Sequence, residues 1–224
     1  MPLRRSFLTL SAICLMAACA PRLGPADEAE ARLAASRMVE VTARVEPVAE
    51  RICAARAPQL DCDVEFLVDV NPAAPPNAFQ TNGTDGRALI VVTAPLILAA
   101  RNPDELAFIL AHEVSHHIEN HITRQRSNAR MGAAVMGQMA GLADASAGRE
   151  AVAFGAVVGA RTYAKAFELE ADRLGTLITA QAGYDPLRGA EFFFRIPDPG
   201  NVFLGTHPPN ADRVLAVRRA AADL

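Results

Sequence analysis

Hydrophobic positions along this chain change their period several times, and each change marks an element. From about 31 to 57, apolar residues recur at helical spacing through Val39, Val41, Val45, Val48 and Ile52. Pro47 has no N–H to donate, so it is expected to interrupt that helix or start a turn. Residues 63–70 (Asp63-Val64-Glu65-Phe66-Leu67-Val68-Asp69-Val70) alternate in part and are β-prone, which predicts a strand. Pro72, Pro75 and Pro76 then break the chain, Asn77 to Gln80 reads as a short extended piece, and Asn82-Gly83 and Asp85-Gly86 are turn dipeptides. Ala88-Leu89-Ile90-Val91-Val92 is an unbroken apolar run of strand length, so a small sheet of three or so strands is expected.

The remainder reads as helix. Asn102 is placed to cap a helix with Pro103 at its first position and acids in its first turn, and this helix is expected to run to about 124. Residues 131–160 are rich in Met, Gly and Ala, but Asp144, Arg149 and Glu150 interrupt them, which argues against a membrane span. A loosely packed helical hairpin or a mobile flap is expected there. Further helices are expected over 161–182, ending near Gly183, over 186–195, and after Pro208-Pro209. No internal repeat is visible.

Composition narrows the function. The chain has 224 residues, enough for one domain with a small appendage, and half of them are hydrophobic. There is no tryptophan, little tyrosine and a formal net charge of −3, so neither a basic patch nor a stacking platform points to nucleic acid. The first residues read as an export signal: Arg4 and Arg5 are followed by the short uncharged apolar run Phe7 to Ala18. Removing residues 1–18 takes away those two arginines and changes −3 to −5.

Leu15-Met16-Ala17-Ala18-Cys19 resembles a bacterial lipobox, with Met16 in place of the usual leucine, and makes Cys19 the candidate for lipidation. The paired arginines fit either the general secretory or the twin-arginine route. Residues 20–30, rich in Pro, Ala and acid, read as a tether. Cys53 and Cys62 are left close together in a chain bound for an oxidising compartment, where a disulfide is expected and two buried free thiols are the alternative.

The strongest chemical signal is His112-Glu113-Val114-Ser115-His116 inside the first C-terminal helix. Spacing i, i+4 places His112 and His116 on one face, one turn apart, where both imidazoles reach one zinc ion. Glu113 is then positioned as general base toward water activated by that ion. Catalytic zinc usually takes a third protein ligand. The position ten residues after His112 is Ile122, which rules out a third histidine at that spacing. His117 and His121 miss the face of the other two and are expected at the surface. Phe167-Glu168-Leu169-Glu170-Ala171-Asp172 supplies a better candidate. Glu168 and Asp172 share a helical face, Glu168 as third ligand and Asp172 as acceptor from a ligand histidine's second nitrogen. Glu170 lies about 200° from Glu168 around the helix and is expected to face solvent. A plain solvated acidic face is the alternative for this segment.

These motifs together resemble the zinc metallopeptidase family that contains the HtpX-type and CAAX prenyl proteases, most closely its small bacterial lipoprotein members of the LoiP type. The resemblance covers roughly 46–220. Asn77-Ala78-Phe79 is similar to the start of that family's edge strand, and Thr206-His207-Pro208-Pro209 with Arg213 is similar to its C-terminal His-Pro element. Arg161-Thr162 stands where members often carry a Ser-Arg pair. The resemblance implies Glu168 as third ligand, Asn77 and Ala78 as substrate-binding, and Arg213 as helping to hold substrate. It implies that His207 approaches the zinc, either stabilising the oxyanion or latching the open position.

The expectation is therefore an α+β, zincin-like domain over 46–224, mostly helical with a small sheet, behind a signal (1–18) and a tether with an N-terminal helical segment (19–45). It would hold one Zn²⁺ and act as an endopeptidase on misfolded or unassembled envelope proteins. Its substrates would be unfolded or extended polypeptides, because a sheet edge binds peptide backbone with little side-chain demand. It would sit on the periplasmic side, anchored by lipid. Ala20 lacks the acidic character linked to inner-membrane retention, which favours the outer membrane. An envelope chaperone with structural zinc is the rival, though Glu113 has no role in such a site.

Overall fold

The computed structural model describes residues 25–140 and 145–224. The export signal, Cys14 and the lipidation candidate Cys19 lie outside the described residues.

Helix α1 (Pro25–Arg56) is longer than its periodicity announced and passes through Pro47 without stopping. It takes in residues 25–30, which read as tether, and crosses the expected domain boundary at 46. The reason lies in one apolar stripe. Ala34, Met38, Val41, Val45, Val48, Ala49, Ile52 and Cys53 are all buried in the main core, so packing on both sides of Pro47 outweighs the hydrogen bond it removes. Val39 falls off the stripe and is exposed. A disulfide joins Cys53 to Cys62, tying the end of α1 to the start of the sheet.

The sheet has three strands, β1 (Val64–Asp69), β2 (Ala78–Asn82) and β3 (Ala88–Thr93), in the order β1-β3-β2. β3 is central because its run is apolar on both faces: Ala88, Ile90 and Val92 are fully buried on one, and Leu89 and Val91 are half-buried on the other. β1 runs parallel to it, with Phe66 opposite Ile90, and β2 antiparallel, with Gln80 also opposite Ile90. β2 is thereby left as an edge.

A short helix α2 (Ala94–Ala99) leads to α3 (Pro103–Ile118), which crosses the middle of the core. Its start is as expected: Asn102 accepts from the Glu105 N–H, while the Glu105 carboxylate accepts from the Arg101 N–H and pairs with Arg195. Its end is not. The helix was expected to reach 124 but stops at Ile118. Asn120 takes a left-handed φ of 55°, which asparagine tolerates better than most residues, and α4 (His121–Ala140) leaves in a new direction.

α4 and α5 (Ala145–Thr162) form the expected hairpin, but it is not loosely packed. A Cβ at Gly132 would come within 2.1 Å of the Gly155 carbonyl oxygen, and one at Gly159 within 2.1 Å of the Asn128 carbonyl oxygen. The two backbones touch because glycine stands at the crossings. Met131, Val135, Met139 and Phe154 remain exposed on it. Among the described residues no helix is long and apolar enough to cross a membrane.

α6 (Ala164–Gln181) returns to the core and packs along α3. The approach is tight at Gly175, where a Cβ would lie 3.1 Å from the His112 nitrogen. The expected helix over 186–195 is a single turn α7 (Pro186–Gly189) followed by a 3-10 turn (Ala190–Phe194). The last helix α8 (Asn210–Ala222) docks through a second cluster of Phe108, Ala190, Phe193, Val214 and Val217. The result is a mostly helical α+β fold with a small sheet beside the His112–His116 helix.

Candidate metal centre

Three side chains converge between α3 and α6. His112 Nε2 lies 3.1 Å from His116 Nε2, which in turn lies 3.3 Å from Glu168 Oε1. His112 Nε2 lies 3.6 Å from Glu168 Oε2. A tetrahedral ion with bonds of about 2.0–2.1 Å holds its ligand atoms about 3.3 Å apart. The spacing therefore fits such an ion, as does the donor set of two imidazoles and a carboxylate. Two ring nitrogens facing each other beside a buried carboxylate have no better common partner than a cation. Among the described residues this is the one group of three donors so close together.

The ring of His112 is fixed from behind. Its Nδ1 lies 2.9 Å from Asp172 Oδ1, the contact expected of Asp172. Asp172 is fully buried and accepts two hydrogen bonds from Arg213, Nε to Oδ2 at 2.9 Å and Nη2 to Oδ1 at 2.7 Å. Burial raises the Asp172 carboxyl, but Arg213 outweighs it and holds its pKa below the ordinary value. Burial and the Arg213 charge also work against the His112 imidazolium. Asp172 and Glu168 win, pushing the His112 pKa up to about 9 in the ion-free protein. Glu168 is disfavoured as an anion by burial, yet hydrogen bonds from His112, His116 and His207 keep it well below the usual carboxylate range.

Arg213 is therefore engaged inside the protein. Its guanidinium sits over the Phe193 ring at 4.1 Å and pairs with Asp172, while Nη1 lies 3.5 Å from Glu168 Oε2 on the cleft wall. His207 is exposed and its Nδ1 lies 3.1 Å from Glu168 Oε2, so the C-terminal His-Pro element does reach the donor cluster. Glu113 is half-buried and lines the same cleft.

Two histidines read as surface residues are buried. His117 Nε2 donates to the Asp61 carbonyl at 2.7 Å, pinning α3 to the loop before β1. His121 is 4 % exposed, with its Nδ1 2.8 Å from His116 Nδ1. Its Nε2 lies 3.1 Å from Glu170 Oε2, and Arg124 donates to the same oxygen at 2.6 Å. Burial, with the nearby His116 and Arg124, lowers the His121 pKa to about 4 despite Glu170. Glu170 itself is half-buried and paired, not simply solvated. The cause is the break at Asn120. A continuous helix would have carried His121 away from His116, whereas the left-handed residue folds it back. Asn120 was the signal available in the sequence.

The cleft over the donors has a volume of about 590 Å³ and is walled on one side by Pro76 to Gln80. The Thr93 N–H donates to the Asn77 carbonyl, and the Asn77 N–H is taken by Thr93 Oγ1. Antiparallel pairing alternates, so the backbone groups of Ala78 and Gln80 face the open edge.

A buried His-Glu-x-x-His helix braced against a glutamate from a second helix defines a zincin-like metallopeptidase. Comparison with known families agrees: residues 35–221 match peptidase family M48, and the chain belongs to that family. The match begins inside α1, whose buried stripe is part of the same core. The chain is also similar to a protein of Vibrio cholerae serotype O1 (strain ATCC 39315 / El Tor Inaba N16961) named "Putative beta-barrel assembly-enhancing protease". The two are 32 % identical over 161 residues, which cover 65 % of this chain and 32 % of that protein. The chain thus spans about a third of that relative's length.

Proposed function

We propose that this metallopeptidase is a zinc endopeptidase that cleaves unfolded or extended segments of cell-envelope proteins. The observation that carries the reading is the placement of an open strand edge, Ala78 to Gln80, along the cleft that holds Glu113 and the three donors. A peptide laid on that edge hydrogen-bonds through its backbone, which selects extended chain over any one side-chain motif.

His112, His116 and Glu168 would hold the zinc, which when bound supplies Lewis acidity toward the scissile carbonyl and an acidified water. Glu113, half-buried on the cleft, takes a proton from the attacking water and returns it to the leaving amine. His207 stands where a donor meets the developing oxyanion, and Arg213 keeps His112 and Glu168 in place while adding positive charge to the cleft wall. The envelope location is supported by the export-signal pattern and by the name of the Vibrio cholerae relative. The lipobox-like Cys19 supports a lipid anchor, with the outer membrane favoured.

The reading is tested with one polypeptide in two states, a disulfide-bonded protein native and then reduced and unfolded, incubated with the purified enzyme. Cleavage confined to the unfolded form at many dissimilar sites is expected. Cleavage at one sequence motif in both forms would overturn the edge-binding account.

A second reading rests on the 3.1 Å contact of His207 with Glu168, which also suits a latch that keeps the cleft closed until a partner or substrate displaces it. A His207→Ala variant more active than the wild type would favour the latch, and a less active one the oxyanion role.

A further inference from the structure

The two ligand histidines are braced in parallel ways, one obvious and one hidden. Behind His112 stand a carboxylate, Asp172, and the arginine that holds it, Arg213. Behind His116 stand a second histidine, then a carboxylate, Glu170, and the arginine that holds it, Arg124. Both carboxylates come from α6, and two residues along a helix is about 200° around it, so they point to opposite sides; the turn at Asn120 brings His121 and Arg124 of α4 back to meet Glu170.

Hydrogen-bond bookkeeping gives the second chain a direction. If His116 presents the Nε2 lone pair to the ion, its proton is on Nδ1. The neighbouring His121 Nδ1, 2.8 Å away, must then be the acceptor, since two N–H groups cannot face each other. That leaves the His121 proton on Nε2, aimed at Glu170 Oε2 at 3.1 Å. Glu170 accepts as an anion and is held by Arg124. Every donor in the series has an acceptor, and reversing any one bond would put the His116 proton where the metal belongs. The His121 ring has little freedom to leave this register: it is stacked on Phe167 with centroids 4.5 Å apart and planes 12° from parallel, and the Arg124 guanidinium sits 4.3 Å from the Phe167 ring centre.

We infer that His121 and Glu170 are positioning residues which fix the tautomer and orientation of His116, so that its Nε2 is committed to the metal. The inference rests on the metal-site reading above. Losing the partner that holds a ligand histidine's second nitrogen typically costs about 10–100-fold in metal affinity.

The test measures zinc affinity by competition with a chromophoric chelator, on the whole chain, with far-UV circular dichroism and melting as folding controls. Wild type is expected to bind one ion and His112→Ala to lose it. His121→Phe retains the aromatic stack on Phe167 and removes both nitrogens; its affinity is expected to fall by about 10–100-fold. His121→Asn restores an acceptor, with Oδ1 in the place of Nδ1, and is expected to recover part of the loss. In zinc-loaded wild type, long-range proton–nitrogen NMR correlations are expected to place the His116 proton on Nδ1 and the His121 proton on Nε2. Wild-type affinity in a folded His121→Phe, or a His121 proton on Nδ1, would overturn the inference while leaving the metal site standing. No zinc binding by the wild type would overturn both. If His121→Phe does not fold, Glu170→Gln takes its place: weaker zinc binding supports the chain, and unchanged binding overturns it.

Discussion

Replacing Asp172 by asparagine tests how far the fold depends on the support behind the site. Asp172 is fully buried, takes two hydrogen bonds from Arg213 and faces His112 Nδ1. Asparagine keeps the shape and removes the charge, leaving the buried Arg213 guanidinium without its hydrogen-bonded counterion and with only the Glu168 carboxylate, at 3.5 Å, to balance it. Removing one partner of a buried pair costs about 3–5 kcal/mol, mostly for the charge left behind. For a domain of this size each kcal/mol lowers Tm by about 2–4 °C, so a drop of about 6–20 °C is expected. Urea unfolding with a chelator present isolates this effect from metal binding. The Asp172→Asn/Arg213→Met double variant, with neither charge, is expected to be more stable than Asp172→Asn alone, because the buried cation that lost its hydrogen-bonded partner is gone. The Asp172 pKa is lowered on folding, so its contribution is present above the ordinary carboxylate value and is lost as pH falls through the folded one. A loss below about 0.5 kcal/mol at pH 7 would refute the reasoning, since that is the size of an ordinary surface substitution.

Other outcomes follow from the same geometry. Gly175→Ala puts a methyl against the His112 backbone, where its Cβ has 3.1 Å, and is expected to destabilise by about 1–3 kcal/mol and weaken metal binding as α3 and α6 separate; chemical unfolding and a metal titration read both. Folding raises the His112 pKa from 6.5 to about 9, so its bound proton stabilises the ion-free protein below pH 6.5 and that stability is lost as pH rises through about 9. An ion needs the same nitrogen, so zinc affinity is expected to rise by up to about tenfold per pH unit until about 9, with proton release seen by calorimetry in buffers of different ionisation enthalpy. Cys53→Ala/Cys62→Ala opens a short loop and is expected to cost about 2–3 kcal/mol in urea unfolding, with the metal donors left in place.

Much of this site was legible because its chemistry is written in local periods. His112 and His116 one turn apart, and Glu168 and Asp172 one turn apart, each fix a face of a helix whatever surrounds it. The cap at Asn102 and the apolar run of β3 were equally local. What escaped was set by a single backbone angle. Asn120 ends α3 in a left-handed turn, and that brings His121 beside His116 and gives Glu170 a partner. A helix drawn through to 124 places His121 in solvent and leaves Glu170 without it. Pro47 misled in the opposite way: its local preference is to break a helix, and the buried stripe of α1 overrides it. The tight α4–α5 crossing depends on glycines meeting across two helices, which no single helix's pattern records.

The central claim is that Glu113 acts on water beside a metal held by His112, His116 and Glu168. It is tested most directly by comparing the wild type with Glu113→Gln at equal measured zinc content, on an unfolded protein substrate. The account predicts equal metal and a loss of kcat of at least about 10²–10⁴-fold, the usual worth of a general base. Equal metal with undiminished cleavage would contradict it.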